Sequence, residues 1–199
     1  MCGRYFIENK EDERIEAIVR AAVPFAEKAG RTMKSSGDVF PTDLVPVLAP
    51  SRLHRELIPF PMIWGFAHPN RPGVLVFNTR SETAEEKPLF VTSVHDRRCL
   101  IPVSGYYEWE KTAEGKKERR IFTAAEPFFL AGLYIRSERE PFPYFSILTM
   151  EAPEPIRAIH QRMPVIVTEQ QKADWIGGVL PIAEASAWSV GKSGIVCSG

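Results

Sequence analysis

The chain has 199 residues, 44% of them apolar and 25% charged, with Lys and Arg equal in number to Asp and Glu. That length suits one domain with a real core, and the composition is that of an ordinary globular protein. Zero net charge argues against bulk electrostatic capture of nucleic acid but leaves room for a local basic groove, and three cysteines are too few for a disulfide framework.

The chain opens Met1-Cys2-Gly3-Arg4-Tyr5, with no charged and apolar leader pattern, and Met1–Ile7 alternates as a strand does. Cys2 stands out. Cells usually trim an initiator Met that precedes a small residue. Trimming here would leave an α-amine and a thiol on adjacent carbons. An α-amine titrates near ~8, against ~10.4 for a lysine, so far more of it is neutral and nucleophilic at pH 7. A 1,2-aminothiol also condenses with an aldehyde and closes a five-membered thiazolidine ring. The bland reading is a small buried residue in a first strand, the usual fate of a free cysteine.

A helix is expected over Glu11–Ala29. Ile15, Ile18, Val19, Ala22, Phe25, Ala26 and Ala29 recur at helical spacing and acidic residues fill the first turn, with Pro24 expected to kink or split the helix. Gly30–Gly37 reads as a loop. Strand-length apolar runs follow at Leu44–Leu48, Leu57–Phe66, Val74–Asn78, Cys99–Trp109, Arg120–Thr123, Phe128–Ile135, Tyr144–Met150 and Met163–Thr168. Thr112–Arg119 reads as a hairpin loop, Ala152–His160 as a helical turn, and Gln170–Ile176 and Ala183–Val190 as short helices. Cys99 is assigned to the core and Cys197 to the tail. Seventeen prolines rule out long helices. The expected fold is α+β: a β-rich single domain over residues 1–199, with a curved, barrel-like, mostly antiparallel sheet and a few flanking helices.

No apolar run reaches the ~18 residues of a membrane span, so no membrane contact is expected. No His/Cys spacing resembles a metal site, so neither a metal nor another cofactor is expected. The chain reads as a reduced, cytoplasmic protein.

Three polar clusters border apolar runs: Asn78-Thr79-Arg80-Ser81-Glu82, Gly105-Tyr106-Tyr107-Glu108-Trp109 and His160-Gln161-Arg162-Met163-Pro164. Singly, each reads as caps and solvated strand ends. Together with Cys2-Gly3-Arg4-Tyr5, Pro41-Thr42-Asp43, Trp64-Gly65-Phe66, Lys87-Pro88-Leu89-Phe90, Arg98-Cys99-Leu100-Ile101-Pro102 and Ala131-Gly132-Leu133, they keep an order that resembles the SOS response-associated peptidase (SRAP) family over nearly the whole chain. Three departures stand out. The family's Asn-Ile-Ala-Pro-Thr is here Asp38-Val39-Phe40-Pro41-Thr42, its His-Asp-Arg-Met-Pro carries Gln161, and its Phe-Tyr-Glu-Trp carries Tyr106.

The resemblance implies a sensor of abasic sites in single-stranded DNA, acting as a monomer and nucleoid-associated when bound. The open abasic sugar carries an aldehyde, the electrophile that a 1,2-aminothiol suits. By resemblance, Cys2 forms the crosslink, Glu108 moves protons near its amine, His160 assists sugar-ring opening, and Asn78 orients Cys2. Arg4, Arg80 and Arg162 are implied on phosphates. Pro41, Trp64 and Trp109 are implied against bases, with core packing as the alternative for each. The family name implies an autopeptidase step where residues precede the Cys; here removal of Met1 suffices. Two other classes stay open: a cysteine peptidase or N-terminal-nucleophile hydrolase using Cys2, His160 and Glu108, and a non-covalent single-strand binding module.

Overall fold

The fold centres on a closed ring of strands, seen in a computed structural model that describes residues 2–8, 12–51, 56–125, 128–179, 182 and 195–198. In chain order come β1 (Tyr5–Ile7), α1 (Glu13–Lys28), β2 (Gly37–Val39), β3 (Leu44–Pro50), β4 (Leu57–Trp64), β5 (Phe66–Ala67), β6 (Leu75–Val76) and β7 (Asn78–Arg80). Next are α2 (Val91–Asp96), β8 (Arg98–Val103), β9 (Gly105–Lys111), β10 (Lys117–Ala124), β11 (Phe128–Ile135) and β12 (Tyr144–Glu151). The last described elements are α3 (Ile156–Ile159), β13 (Arg162–Pro164), β14 (Ile166–Val167), α4 (Lys172–Gly177) and β15 (Ile195–Ser198). The helix expected over Ala183–Val190 lies outside the described residues.

The ring runs β12–β4–β3–β8–β11 and returns to β12. All its pairings are antiparallel except that of β12 with β4; β7 adds to β12 in parallel outside the ring. The expected curved, mostly antiparallel sheet is therefore present. The run Met163–Thr168 splits in two because Val165 switches neighbours: its N–H donates to Leu148 of β12 while its carbonyl accepts from Ala131 of β11, both at 2.9 Å. β13 accordingly pairs with β12 and β14 with β11.

A second sheet, ordered β15-β10-β9-β1-β2, carries the N-terminus. Tyr5 of β1 packs on Trp64 of the ring at 5.1 Å between ring centroids, and Trp64 stacks on Phe145 at 6.4 Å. The indole N–H of Trp64 donates to the Phe77 carbonyl at 2.9 Å. These contacts join the second sheet to the ring.

The helix α1 starts where Asp12 Oδ1 accepts from the Arg14 N–H at 2.9 Å. It runs unbroken through Pro24, where the sequence suggested a kink or split. Proline there removes one intrahelical bond, and burial of Ile15, Val19, Ala22 and Ala26 on one face holds the helix together. The hairpin after β9 is tighter than expected: Gly115 donates to Thr112 at 2.9 Å, and Lys117–Arg119 already belong to β10. The short α2 carried no periodic signal long enough to read.

Gly105 marks the closest approach of β9 to its surroundings. A Cβ there would lie 2.6 Å from the Phe122 carbonyl oxygen and 2.6 Å from ring atoms of Phe6. Gly105→Ala should therefore lower stability by about 1–3 kcal/mol, the usual range for overpacking. Chemical denaturation measures this, and an unchanged midpoint would show that β9 has room to shift.

Candidate functional site

Cys2 is fully buried where the chain leads into β1. Its carbonyl accepts a hydrogen bond from Asn78 Nδ2 at 2.8 Å. Its Sγ lies 3.8 Å from the Arg4 carbonyl, which also accepts from the Tyr107 N–H of β9 at 3.0 Å. The N-terminal segment is thus pinned between β7 on one side and β9 on the other.

Strand alternation gives β9 two distinct faces. Tyr106 and Glu108 point inward, and both are buried. Tyr106 stacks on Phe122 at 4.8 Å with ring planes 5° apart. Glu108 is 2% exposed, an unusual setting for a carboxyl group. His160 follows α3, and its Nδ1 lies 3.9 Å from Glu108 Oε1. The same Nδ1 sits 3.0 Å from the Arg162 N–H nitrogen and 2.9 Å from the Arg162 carbonyl oxygen, so it accepts from the first or donates to the second according to tautomer. The structure therefore brings Cys2, Asn78, Glu108 and His160 together.

Burial governs the electrostatics. It raises the Cys2 thiol well above its ordinary range, and the Glu108 carboxylate adds to the rise. Burial also raises Glu108, opposed by positive charge at the N-terminus and on His160. A carboxyl lifted toward neutrality suits proton transfer. Such a thiol stays protonated at neutral pH. Among the described residues no group of three or more His, Cys, Asp and Glu could hold a metal ion, and no helix is long and apolar enough to cross a membrane.

The outer face of β9 carries Tyr107 and Trp109. The Arg4 guanidinium lies 4.6 Å from the Phe40 ring centre, 5.2 Å from Trp109 and 5.8 Å from Tyr107. Pro41 sits beside Phe40 in a turn where Asp43 donates to the Phe40 carbonyl at 3.1 Å. Thr42 in that turn has φ 84°, a strained angle for a β-branched residue. Arg80 is exposed at the end of β7. Two expected DNA contacts sit differently. Trp64 has no exposed surface and packs between Tyr5 and Phe145, so core packing is the role its surroundings support. The Arg162 guanidinium is held by Glu82 at 2.8 and 3.0 Å. Sequence reasoning gave no role to Phe40, Tyr107, Asp38 or Glu82; alternation along β9 alone would have put Tyr107 on the face of Trp109.

A model of the family described as SOS response associated peptidase (SRAP) matches residues 1–187. The chain belongs to the SRAP family. Abasic site processing protein YoqW of Bacillus subtilis (strain 168) is 29% identical over 186 residues, spanning 88% of this chain and 80% of that protein. Abasic site processing protein YedK of Escherichia coli (strain K12) is 25% identical over 205 residues, spanning 98% and 87%. A crystal structure of a protein from Bordetella bronchiseptica shares the fold, with a TM-score of 0.73 at 23% identity and coverage of 99% of this chain and 98% of that one.

Each departure from the SRAP pattern has a physical setting. Asp38 accepts from the Tyr107 hydroxyl at 2.9 Å and lies 3.6 Å from Arg4. The Tyr106 hydroxyl is buried with no hydrogen-bond partner among the described residues. Gln161 is exposed, and its carbonyl accepts from the Ala152 N–H at 2.9 Å.

The raised Glu108 carboxyl makes a stability prediction whose sign is fixed. Its folded value exceeds the unfolded ~4.3, so its favourable contribution is complete below that pH and is lost as the pH rises. Glu108→Gln should therefore melt higher than the parent at pH 8, with the gap closing near pH 4. Thermal melts across that range check it; a constant gap would show that burial does not set the carboxyl's titration.

Proposed function

We propose that this chain senses abasic sites in single-stranded DNA and joins them covalently through Cys2. The observation that carries the reading is the convergence on Cys2 of a buried carboxyl, an imidazole and a positioning amide. The names of YoqW and YedK support it.

The sequence of steps follows from the site's protonation. Removal of Met1 frees the Cys2 amine. The neutral amine adds to the C1′ aldehyde of the opened sugar, forming a C–N bond and a carbinolamine. Glu108, whose burial favours the protonated form, gives a proton to the departing hydroxyl, and water leaves to form the iminium. The Cys2 sulfur then adds to that carbon, forming the C–S bond of a thiazolidine, and the thiol proton returns to the Glu108 carboxylate. Ring closure removes the iminium that would drive β-elimination, so the strand is shielded rather than cut. His160 assists ring opening of the sugar, and Asn78 holds the Cys2 carbonyl. Arg4 and Arg80 meet phosphates, while Trp109 and Pro41 border the bases beside Phe40.

The peptidase alternative needs a ready thiolate. Burial and Glu108 both push this thiol the other way. In the crosslinking reading the amine acts first, and the thiol adds only once a cationic carbon is beside it.

Incubation with abasic single-stranded DNA should give an adduct that survives denaturation, absent in Cys2→Ala. Cys2→Ser should retain only a borohydride-trappable Schiff base. Persistence of the full adduct in Cys2→Ala would sink the reading, and equal affinity for intact and abasic strands without any adduct would select the non-covalent module. Intact mass reports whether Met1 has been removed.

Asp38 should temper strand binding, because it partly neutralises Arg4. Asp38→Asn should tighten binding to an intact single strand and steepen the fall of log K with log salt by up to about 0.7, the value for one phosphate. Salt titrations by fluorescence anisotropy measure this; an unchanged slope would mean that Arg4 is spent on its aromatic neighbours.

A further inference from the structure

We propose that the outer face of the β9–β10 hairpin binds phosphates of the DNA strand beyond the lesion, through Arg119, Lys117 and Lys111. The proposal extends the strand-binding reading above and rests on it.

Register decides which side chains share that face. In an antiparallel pair, residues directly opposite one another point the same way. Arg119 lies opposite Trp109, Lys117 opposite Lys111 and Ile121 opposite Tyr107, so these six stand on the outer face. On the other face Phe122 lies opposite Tyr106, Arg120 opposite Glu108 and Glu118 opposite Glu110.

The same alternation sorts the charges. Glu108, Glu110 and Glu118, the acids of the two strands, all fall on the inner face. Two of them hold Arg120 there, its Nε donating to Glu110 at 2.7 Å and its Nη2 to Glu118 at 3.0 Å. The outer face of the two strands is left with cations alone, and in the turn Glu114 and Lys116 offset one another. Arg119, Lys117 and Lys111 are all exposed. A chain of zero net charge thus carries a local basic strip that continues from Arg4.

Aromatic rings are interleaved with these cations. The Arg119 guanidinium lies 5.3 Å from the centre of the Tyr107 ring, and Arg4 lies 5.8 Å from the same ring. Trp109, partly exposed, stands beside Arg4 at 5.2 Å and two residues before Lys111. From Tyr107 to Lys111 the strand advances about 13 Å, so the strip runs the length of β9 toward the turn. An acidic peptide would match the charge, but a single strand also supplies flat bases to lie against the indole. Continuity with the face around Arg4 favours the strand as the occupant.

The test uses Arg119→Gln, the double variant Lys111→Gln/Lys117→Gln and all three changes together, each confirmed folded by its melting curve. Affinity is measured against salt for intact single strands of about 4 and about 16 nucleotides, the span of site sizes that single-strand grooves cover. Each lost phosphate contact should flatten the fall of log K with log salt by up to about 0.7, which is up to about fivefold in affinity at ~0.1 M salt. The triple variant should lose up to about 2 from the slope on the long strand and less on the short one. Arg119→Lys should keep the slope of the parent. With abasic strands, the triple variant should need a higher concentration for half-saturation of crosslinking. An unchanged slope on the long strand in the triple variant would overturn the proposal. Equal competition by polyglutamate of matched charge would also overturn it, since the face would then read charge without bases. If the parent forms no adduct, the covalent reading fails by itself, and the titrations with intact strands still decide whether the hairpin binds phosphates.

Discussion

Burying the Glu108 carboxyl beside Cys2 is the constraint on which the rest of the site depends. A carboxylate removed from water is costly unless its charge is met or its proton retained. Both answers are at hand: positive charge at the N-terminus and on His160 lowers the cost of ionisation, while burial favours the proton. The net effect is a carboxyl raised above its ordinary range, and that shift depends on its neighbours staying in place. Gly105 lets β9 approach β1 and β10 closely enough to seal Glu108 in, and Asn78 fixes the Cys2 carbonyl. The packing of Tyr5 on Trp64 joins this sheet to the ring. Loosening any of these would admit water and return the carboxyl toward its ordinary behaviour.

The alternation of β9 lets one strand serve two environments separated by a backbone's thickness. Inward, Tyr106 and Glu108 occupy a dry site suited to proton transfer. Outward, Tyr107 and Trp109 flank Arg4, which Asp38 and Phe40 also hold. On the proposed reading, the outer face receives the strand and the inner face receives the sugar. The strained turn at Thr42 fits this division, since it carries Phe40 and Pro41 to the edge of the outer face at a cost in backbone energy.

The residues around Cys2 were legible because each sits in a short polar motif at the border of an apolar run, and because those motifs occur in one order. The outline of the sheet was legible from the same runs. The pairings that complete the barrel were not: β12 pairs in parallel with β4 within the ring and with β7 outside it, contacts between segments far apart in sequence that no local pattern encodes. Trp64 and Trp109 look alike in the sequence, each at or near the end of an apolar run. Only ring closure, which sets Trp64 against Phe145, buries one and leaves the other partly open. Arg162 and Glu82 are 80 residues apart, so their ion pair could not be read, and Arg162 looked like a free cation. Pro24 misled in the opposite way: a strong local rule yielded to the burial of a whole helical face.

The burial that makes Cys2 a poor thiolate also suits it to the role proposed. Oxidation of a cysteine follows thiolate character and exposure, and so does indiscriminate attack on electrophiles. A thiol that is fully buried and held protonated escapes both. What awakens it is the positive carbon left when the amine has condensed and water has gone, one bond from the residue's own backbone nitrogen. The electrophile that completes the ring is created inside the site by the first step, so reactivity and recognition coincide: the sulfur meets only what the amine has already captured. A peptidase would need the reverse order, with the sulfur reactive before anything is bound; burial, the largest influence on the Cys2 thiol, opposes that order and Glu108 adds to it, against a smaller opposite pull from the Arg4 carbonyl contact and the positive N-terminus.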